Sequence, residues 1–337
     1  MTKIATHNGK FHADEVFAFS LLRNLDRFKT AELIRTRDPE LLKTADIVLD
    51  VGGVYDPTNH RYDHHQPEFK DSFSDQFKTL LSSAGLVYKH FGKEIIAAQA
   101  AHLSPEQIEA LYVHVYESFV EPFDANDNGI SAYPADIKPT IARGFDIFQH
   151  VNLLNPGWNE IITPESSNAS FMKAVELVSE IFNLYLNNCL NFWLPAREIV
   201  QKAIESKQIS SSASNPEDSK ILVLSAGCPW KDHLFNSAGT EEILYLIYPE
   251  GANDSWRIQA CPESPDSFVS RLPLPEAWRG LRDAELDAVL TNDGVDAGAV
   301  FIHRSGFIGG HKTKEGALAM ARLAVKIGES SKKQRTE

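Results

Sequence analysis

Cysteine is scarce in this chain: three residues, Cys189, Cys228 and Cys261, odd in number, far apart and without CxxC spacing. That excludes a disulfide framework and a thiolate zinc cluster. No apolar run approaches the ~20 residues that span a bilayer, so no membrane partner is expected. Residues 1–7, MTKIATH, lack the apolar stretch of a signal peptide and the Arg/Ser-rich pattern of a transit peptide, and a cytoplasmic location is expected. No repeat of solenoid period is visible. Basic charge is also short, with 33 Lys plus Arg against 46 Asp plus Glu and a net charge of −13. A broad nucleic-acid coat needs a basic face, so this balance disfavours one.

What is present reads as two unlike globular parts. Hydrophobic residues at 43% and charged residues at 23% exclude wholesale disorder. At roughly 100–200 residues per domain, 337 residues suggest two domains. Residues 3–6, 32–35 and 46–51 read as strands, with a helical stripe over 14–25 between the first two. Strand, helix, strand at these lengths predicts parallel βαβ units. Periodicity is helical from about 75 to 206, with Ser104 as an N-cap before Pro105. The run SKQISSSASNPEDS over 206–219 marks a linker or exposed loop. Strand signals then recur at 220–224, 243–248, 256–260 and 299–303, followed by Gly309-Gly310 and a helix over 313–327. The expected division is 1–205, 206–219, 220–328 and a frayed polar tail over 329–337.

Four segments concentrate metal-ligand chemistry: His7–Glu15 (HNGKFHADE), Asp50, Asp63-His64-His65, and Asp124–Gly129 (DANDNG). In an open α/β sheet, ligands bind beyond the carboxyl ends of strands, which places the first two together. Mixed imidazole and carboxylate donors suit Mn²⁺, Zn²⁺ or Fe²⁺. Two ions about 3.5–4 Å apart, sharing a carboxylate, would lower the pKa of bound water and clamp a phosphoryl group. They would also make an acidic site locally positive. Asp127 before Asn128-Gly129 equally suits a simple turn, and His90, His102, His114 and His150 read as solvated side chains.

Asp63-His64-His65 resembles the signature of the DHH phosphoesterases. HNGKFHADE, RTRDPE, DVGG, YDHHQ, DNGI, CPW, SRLPLPEAWRGLRD and GFIGGHKTKEGALAMA are together similar to its MYG (melanocyte-proliferation-gene type) branch of metal-dependent 3′–5′ RNA exonucleases, from Thr6 to about Ala324. The resemblance implies a Rossmann-like parallel-sheet DHH domain with a helical extension and a smaller C-terminal α/β DHH-associated domain. It implies that His7, His12 and Asp50 hold one metal, and Asp14, Asp50, His64 and Asp127 the other, with Asp50 bridging. Asp124 competes with Asp127 for the last position. Mn²⁺ is the implied ion, with Mg²⁺ or another divalent ion as alternatives. His65 would meet the scissile phosphate, and Asp50 and His65 are the catalytic pair.

In the C-terminal part the resemblance assigns Gly309, Gly310 and His311 to a glycine-rich substrate grip. Close backbone approach at Gly309-Gly310 and a following helix N-terminus favour an anion. Arg304, Lys312 and Arg279 supply positive charge, and Trp278 beside Arg279 is expected to stack on a base. The implied activity is hydrolysis of single-stranded or short RNA by metal-activated hydroxide, the C-terminal domain closing over the metals. Alternatives are a phosphoanhydride or cyclic-dinucleotide hydrolase and a silent nucleic-acid-binding protein. A homodimer is left open.

Overall fold

The computed structural model describes residues 1–134, 136–137, 145–209, 215–251 and 255–336. The chain is α/β and divides into two compact units, Met1–Leu190 and Asn191–Glu337. None of the described helices is long and apolar enough to cross a membrane.

In the first unit, β1 (Lys3–Thr6), α1 (Ala13–Arg23), β2 (Glu32–Arg35), α2 (Pro39–Lys43) and β3 (Ile47–Leu49) follow in order, then the short strands β4 (Tyr55–Asp56) and β5 (Arg61–Tyr62). The sheet order is β2-β1-β3-β5-β4. β1, β2, β3 and β5 run parallel, and β4 is an antiparallel edge. Ile47-Val48-Leu49 is an unbroken apolar run because all three side chains are buried, as in a strand covered on both faces. After β2 the chain returns to the opposite side of β1, so the winding reverses between β1 and β3. A crevice opens at such a reversal, and His7 and Asp50 follow directly on those two strands.

Helices α3 (Ser83–Gln99), α4 (Pro105–Val115), α5 (Glu121–Asp127), α6 (Ile147–Leu153) and α7 (Pro164–Asn188) complete the unit. Helix α1 packs against α3, α5 and α7, and every residue from Ala13 to Leu22 is buried. Its two carboxylates, Asp14 and Glu15, therefore start inside the core. There an ionised group persists only when paired or coordinated.

The second unit holds α8 (Leu194–Ile209), β6 (Ile221–Val223), α9 (Lys231–Phe235), β7 (Tyr245–Glu250), β8 (Ser255–Ala260), α10 (Asp283–Leu290), β9 (Ala299–Ile302), β10 (Ile308–His311) and α11 (Lys314–Thr336). The order is β6-β7-β8-β10-β9, with only β6 and β7 parallel. Side chains alternate across it: Tyr245 and Ile247 join Leu286, Trp278 and Met320, while Leu246 joins Val200, Trp230 and Leu234.

Three local expectations differ from the structure. Val200, Ile199 and Ala203 of α8 pack with this second sheet, so the division falls at Leu190/Asn191 rather than within 206–219. Of that segment, 206–209 finish α8, Pro216–Lys220 form a 3-10 turn, and 210–214 lie outside the described residues. The expected tail continues as helix α11 to Thr336, leaving only Glu337 outside the described residues. Gly309-Gly310, expected as a glycine-rich grip leading into a helix, lies inside strand β10, paired to β8 and β9 on both sides.

Candidate metal centre

The centre is built where β1, β3 and β5 end and α1 and α5 meet them. His7 follows β1. Its Nδ1–H donates to the Asn8 carbonyl (3.1 Å), leaving Nε2 as the ring atom turned to the carboxylates. Nε2 lies 3.0 Å from Glu15 Oε1 and 3.3 Å from Asp50 Oδ2. Glu15 in turn accepts from the His12 backbone N–H (2.8 and 3.0 Å), fixing the first turn of α1. Asp50 ends β3 with φ +56°, a left-handed conformation that short polar side chains tolerate. Its other oxygen, Oδ1, lies 3.3 Å from His64 Nε2, which also sits 3.2 Å from Asp127 Oδ2.

These atoms form three overlapping groups whose ligand atoms lie within 4.8 Å of one another: His7, His12, Glu15 and Asp50; Asp50, His64 and His65; and His12, Asp14 and Asp127. All six residues expected as ligands fall within these groups: the first expected set lies inside one group, and the second is divided, Asp50 and His64 in one and Asp14 and Asp127 in another. Asp50 and His12 each belong to two groups, and Glu15 is an addition. Sequence places Glu15 directly after Asp14 at a helix start, where a carboxylate is ordinary, so nothing marks it as a partner of His7.

The donor chemistry fits a divalent ion. Among the described residues, Asp14 Oδ1, Asp50 Oδ1 and His64 Nε2 are buried and make no well-formed hydrogen bond, the last two meeting only as an ion pair at 3.3 Å, with Asp127 beside His64. Stranded buried polar atoms are costly, and here carboxylates and an imidazole, the donors of borderline divalent ions, share one place. Asp14 spends its other oxygen on the Ser83 hydroxyl, which donates at 2.8 Å. Asp127 sits in the last turn of α5, the end of a helix that favours a cation.

Without an ion, protons balance the site. Burial pulls the His7 imidazolium down, but Asp50 and Glu15 outweigh it and push its pKa to about 10. Burial likewise opposes charge on His64, yet Asp50, Asp14 and Asp127 raise it to about 9. Asp50 would be raised by burial, but His64 and His7 hold it at about 2. Burial and repulsion from Asp14 raise Asp127 to about 7. The two raised histidines stabilise the metal-free fold fully below about 6.5, and that contribution is lost as pH rises through about 9 and about 10. Divalent-ion binding should therefore release protons. Its apparent affinity should rise about tenfold per pH unit for each proton displaced. Calorimetry in buffers of different ionisation enthalpy reads that proton release directly, and a pH-independent affinity with no proton release would contradict this ligand set.

Beside the ligands, Asp63 accepts from the Gly53 backbone N–H (2.5 Å) and from His65 Nδ1 (2.7 Å). This orients the His65 ring and leaves Nε2 outward on a side chain 60% exposed. Asp124, the competing candidate, is elsewhere. It is fully buried and accepts from Ser82 N and Oγ (2.9 and 2.7 Å), Gly85 N (3.0 Å) and Tyr116 Oη (2.9 Å). It caps α3, and a Cβ on Gly85 would run into its carboxylate.

The second unit corrects several expectations. Gly309 is required because a Cβ there would meet the Ile302 side chain and the Phe301 carbonyl (2.9 Å); at Gly310 it would meet Arg257 Nη1 at 2.7 Å. His311 is fully buried, its Nε2–H donating to Asp296 O (3.1 Å) while Nδ1 accepts from Thr313 N (3.0 Å). The three residues form a strand joint rather than an open grip. Trp278, 1% exposed, is core and cannot stack on a base. Arg279 is half-buried and donates to Leu274 O, while Arg304 and Lys312 are exposed.

The MYG1_exonuc family model, described as Uncharacterised protein family (UPF0160), matches residues 3–325. The chain belongs to this family. Among MYG1 relatives, the MYG1 protein C694.04c of Schizosaccharomyces pombe is 45% identical over 96% of this chain and 98% of its own length. The human MYG1 exonuclease is 46% identical over 96% of this chain and 85% of its own. The MYG1 protein YER156C of Saccharomyces cerevisiae is 39% identical over 96% and 95%. Among solved structures, RecJ from Thermus thermophilus in complex with Mn²⁺ matches 96% of this chain and 52% of its own, at 13% identity and a TM-score of 0.24. This chain spans about half of that RecJ chain, and a likeness so loose carries no argument about it.

Proposed function

We propose that this chain is a metal-dependent exonuclease that shortens single-stranded or short RNA from the 3′ end. The observation that carries the reading is the convergence of Asp14 Oδ1, Asp50 Oδ1 and His64 Nε2, buried and without a well-formed hydrogen bond, at the reversal of a mostly parallel sheet. Membership of a family whose mammalian members are named exonucleases supports the same chemistry. His7, His12 and Asp50 would hold one ion, with Glu15 steadying His7; Asp14, Asp50, His64 and Asp127, spread over two neighbouring groups that His64 joins at 3.3 Å from Asp50 and 3.2 Å from Asp127, would hold a second. Mn²⁺ is the proposed ion, with Mg²⁺ as the alternative. Bound ions supply water of lowered pKa and offset charge on phosphoryl oxygens. The protein's own part is positional. Asp63 holds the His65 ring and raises its pKa, so that the imidazolium's Nε2–H can donate to a phosphate oxygen at the mouth of the site. Arg304 and Lys312, exposed on the second unit, are proposed as phosphate contacts of that unit's own surface.

The test is a substrate panel on the Mn²⁺-loaded chain: 5′-labelled short RNA, the matching DNA, a cyclic dinucleotide and pyrophosphate. A ladder of 5′-labelled RNA products shortening one nucleotide at a time is expected. Cleavage of pyrophosphate with RNA left intact would overturn the reading.

A further inference from the structure

The motif RTRDPE has no part in the metal centre, yet Arg35, at the end of β2, lines a cavity of about 930 Å³ in the first unit. One wall is Asn8, Gly9 and Lys10, the loop between His7 and His12; the other follows α6 and includes Trp158. Arg35 donates to the carbonyls of His7 (3.2 Å) and Gly9 (2.7 Å) and to Ser167 Oγ (2.8 Å), and its guanidinium lies over the rings of Phe11 and Phe171. None of these hydrogen-bond partners is a carboxylate, so a half-buried guanidinium borders the cavity with its charge answered only through space by Glu15, while Glu160 is the one carboxylate among the described residues lining the cavity. Lys10 adds an exposed second charge. Opposite them, a turn closed by Gly157 N to Glu160 Oε2 (3.1 Å) and Glu160 N to Gly157 O (3.1 Å) presents Trp158 with 96% of its surface exposed. A large indole held in water on a fixed turn is a platform awaiting a flat partner. Asn155 ties this wall to the loop, exchanging hydrogen bonds with Phe11 N and O at 2.9 Å each.

We propose that this cavity is a nucleotide subsite, with phosphate held by Lys10 and the field of Arg35 and a base stacked on Trp158. Two cations and an exposed indole around one cavity match a phosphate joined to an aromatic base, and neither half alone. The assignment deepens the nuclease reading and rests on it for the source of the nucleotide. Its place on the loop that carries His7 and His12 makes it a station for a neighbouring nucleotide of a bound strand, while the metals face the scissile bond.

The test uses the whole 337-residue chain with Mg²⁺ and adenosine monophosphate, which has no phosphodiester to cleave. The nucleotide should quench the fluorescence that distinguishes wild type from Trp158→Phe. Trp158→Leu and Lys10→Gln, both at exposed positions, should each weaken binding about tenfold. Unchanged affinity in both variants, or no binding by wild type at millimolar nucleotide, overturns the subsite. A phosphorothioate hexa-adenylate that binds more tightly than the monophosphate makes the occupant a unit of the strand; equal affinity makes it the free nucleotide, and either supports the subsite. Intact RNA cleavage with unchanged nucleotide binding in the variants sinks the subsite alone. Trp158-dependent binding without RNA cleavage sinks the nuclease reading alone.

Discussion

Asp50→Asn should bind divalent ions at least about a hundredfold more weakly and turn over on the order of a thousandfold more slowly. The side chain is shared: Oδ2 faces His7 at 3.3 Å, and Oδ1 faces His64 at 3.3 Å and His65 at 3.6 Å. Asparagine keeps the shape and tolerates the left-handed backbone at φ +56°, so the change isolates charge. Alanine would add about 1–2 kcal/mol of backbone strain and blur the result. A second readout needs no activity. His7 and His64 owe their raised pKa values of about 10 and about 9 partly to Asp50, so both should titrate lower in the metal-free variant by NMR. Metal stoichiometry and turnover unchanged from wild type would defeat the shared-carboxylate arrangement.

Asp124 and Asp127, three residues apart, should fail in opposite ways. Asp124→Ala strips the acceptor from Ser82 N, Ser82 Oγ, Gly85 N and Tyr116 Oη, all inside the core. Stranded buried donors and a lost cap should cost about 3–5 kcal/mol, a large share of a typical fold's stability. Asp127→Asn should leave the fold standing and lose metal. Its sign with pH is also set. Burial and Asp14 raise the carboxyl to about 7, so its contribution is favourable at acid pH and lost as pH rises through 7. At pH 8 the metal-free Asn variant should therefore melt at or above wild type. Thermal melts and metal analysis on both variants decide it; a stable, metal-free Asp124→Ala beside a metal-loaded Asp127→Asn would reverse the roles.

Much of the centre was legible in sequence because strand ends and odd polar residues coincide there. Ile47-Val48-Leu49 announces a buried strand, and Asp50 directly after it has no core to join. His7, Asp14 and His64 stand out for the same reason. Glu15 was not distinguished, and Asp63 stood out only as part of its motif, with no role of its own, because the work of both is to hold a neighbour, and only distances reveal that. Trp278 misled through its surroundings: a Pro- and Arg-rich stretch reads as surface, yet its 3-10 turn folds the indole into the second core. Gly309-Gly310 carries no alternation to mark a strand, and the need for glycine comes from Ile302 and Arg257, both distant in sequence. The polar end of α11 is rich in helix-forming Lys, Gln and Arg, and propensity prevailed where low hydrophobicity suggested fraying.

The burial of α1 from its first turn limits how this centre can diverge. Asp14, a proposed ligand, and Glu15, which holds His7, both start a helix packed against α3, α5 and α7, so shifting either carboxylate by a fraction of an ångström disturbs a core packed like a crystal. Freedom lies on the solvent side, at His12, His65 and Asp127. Relatives that select different ions are expected to differ there, around an unchanged inner wall.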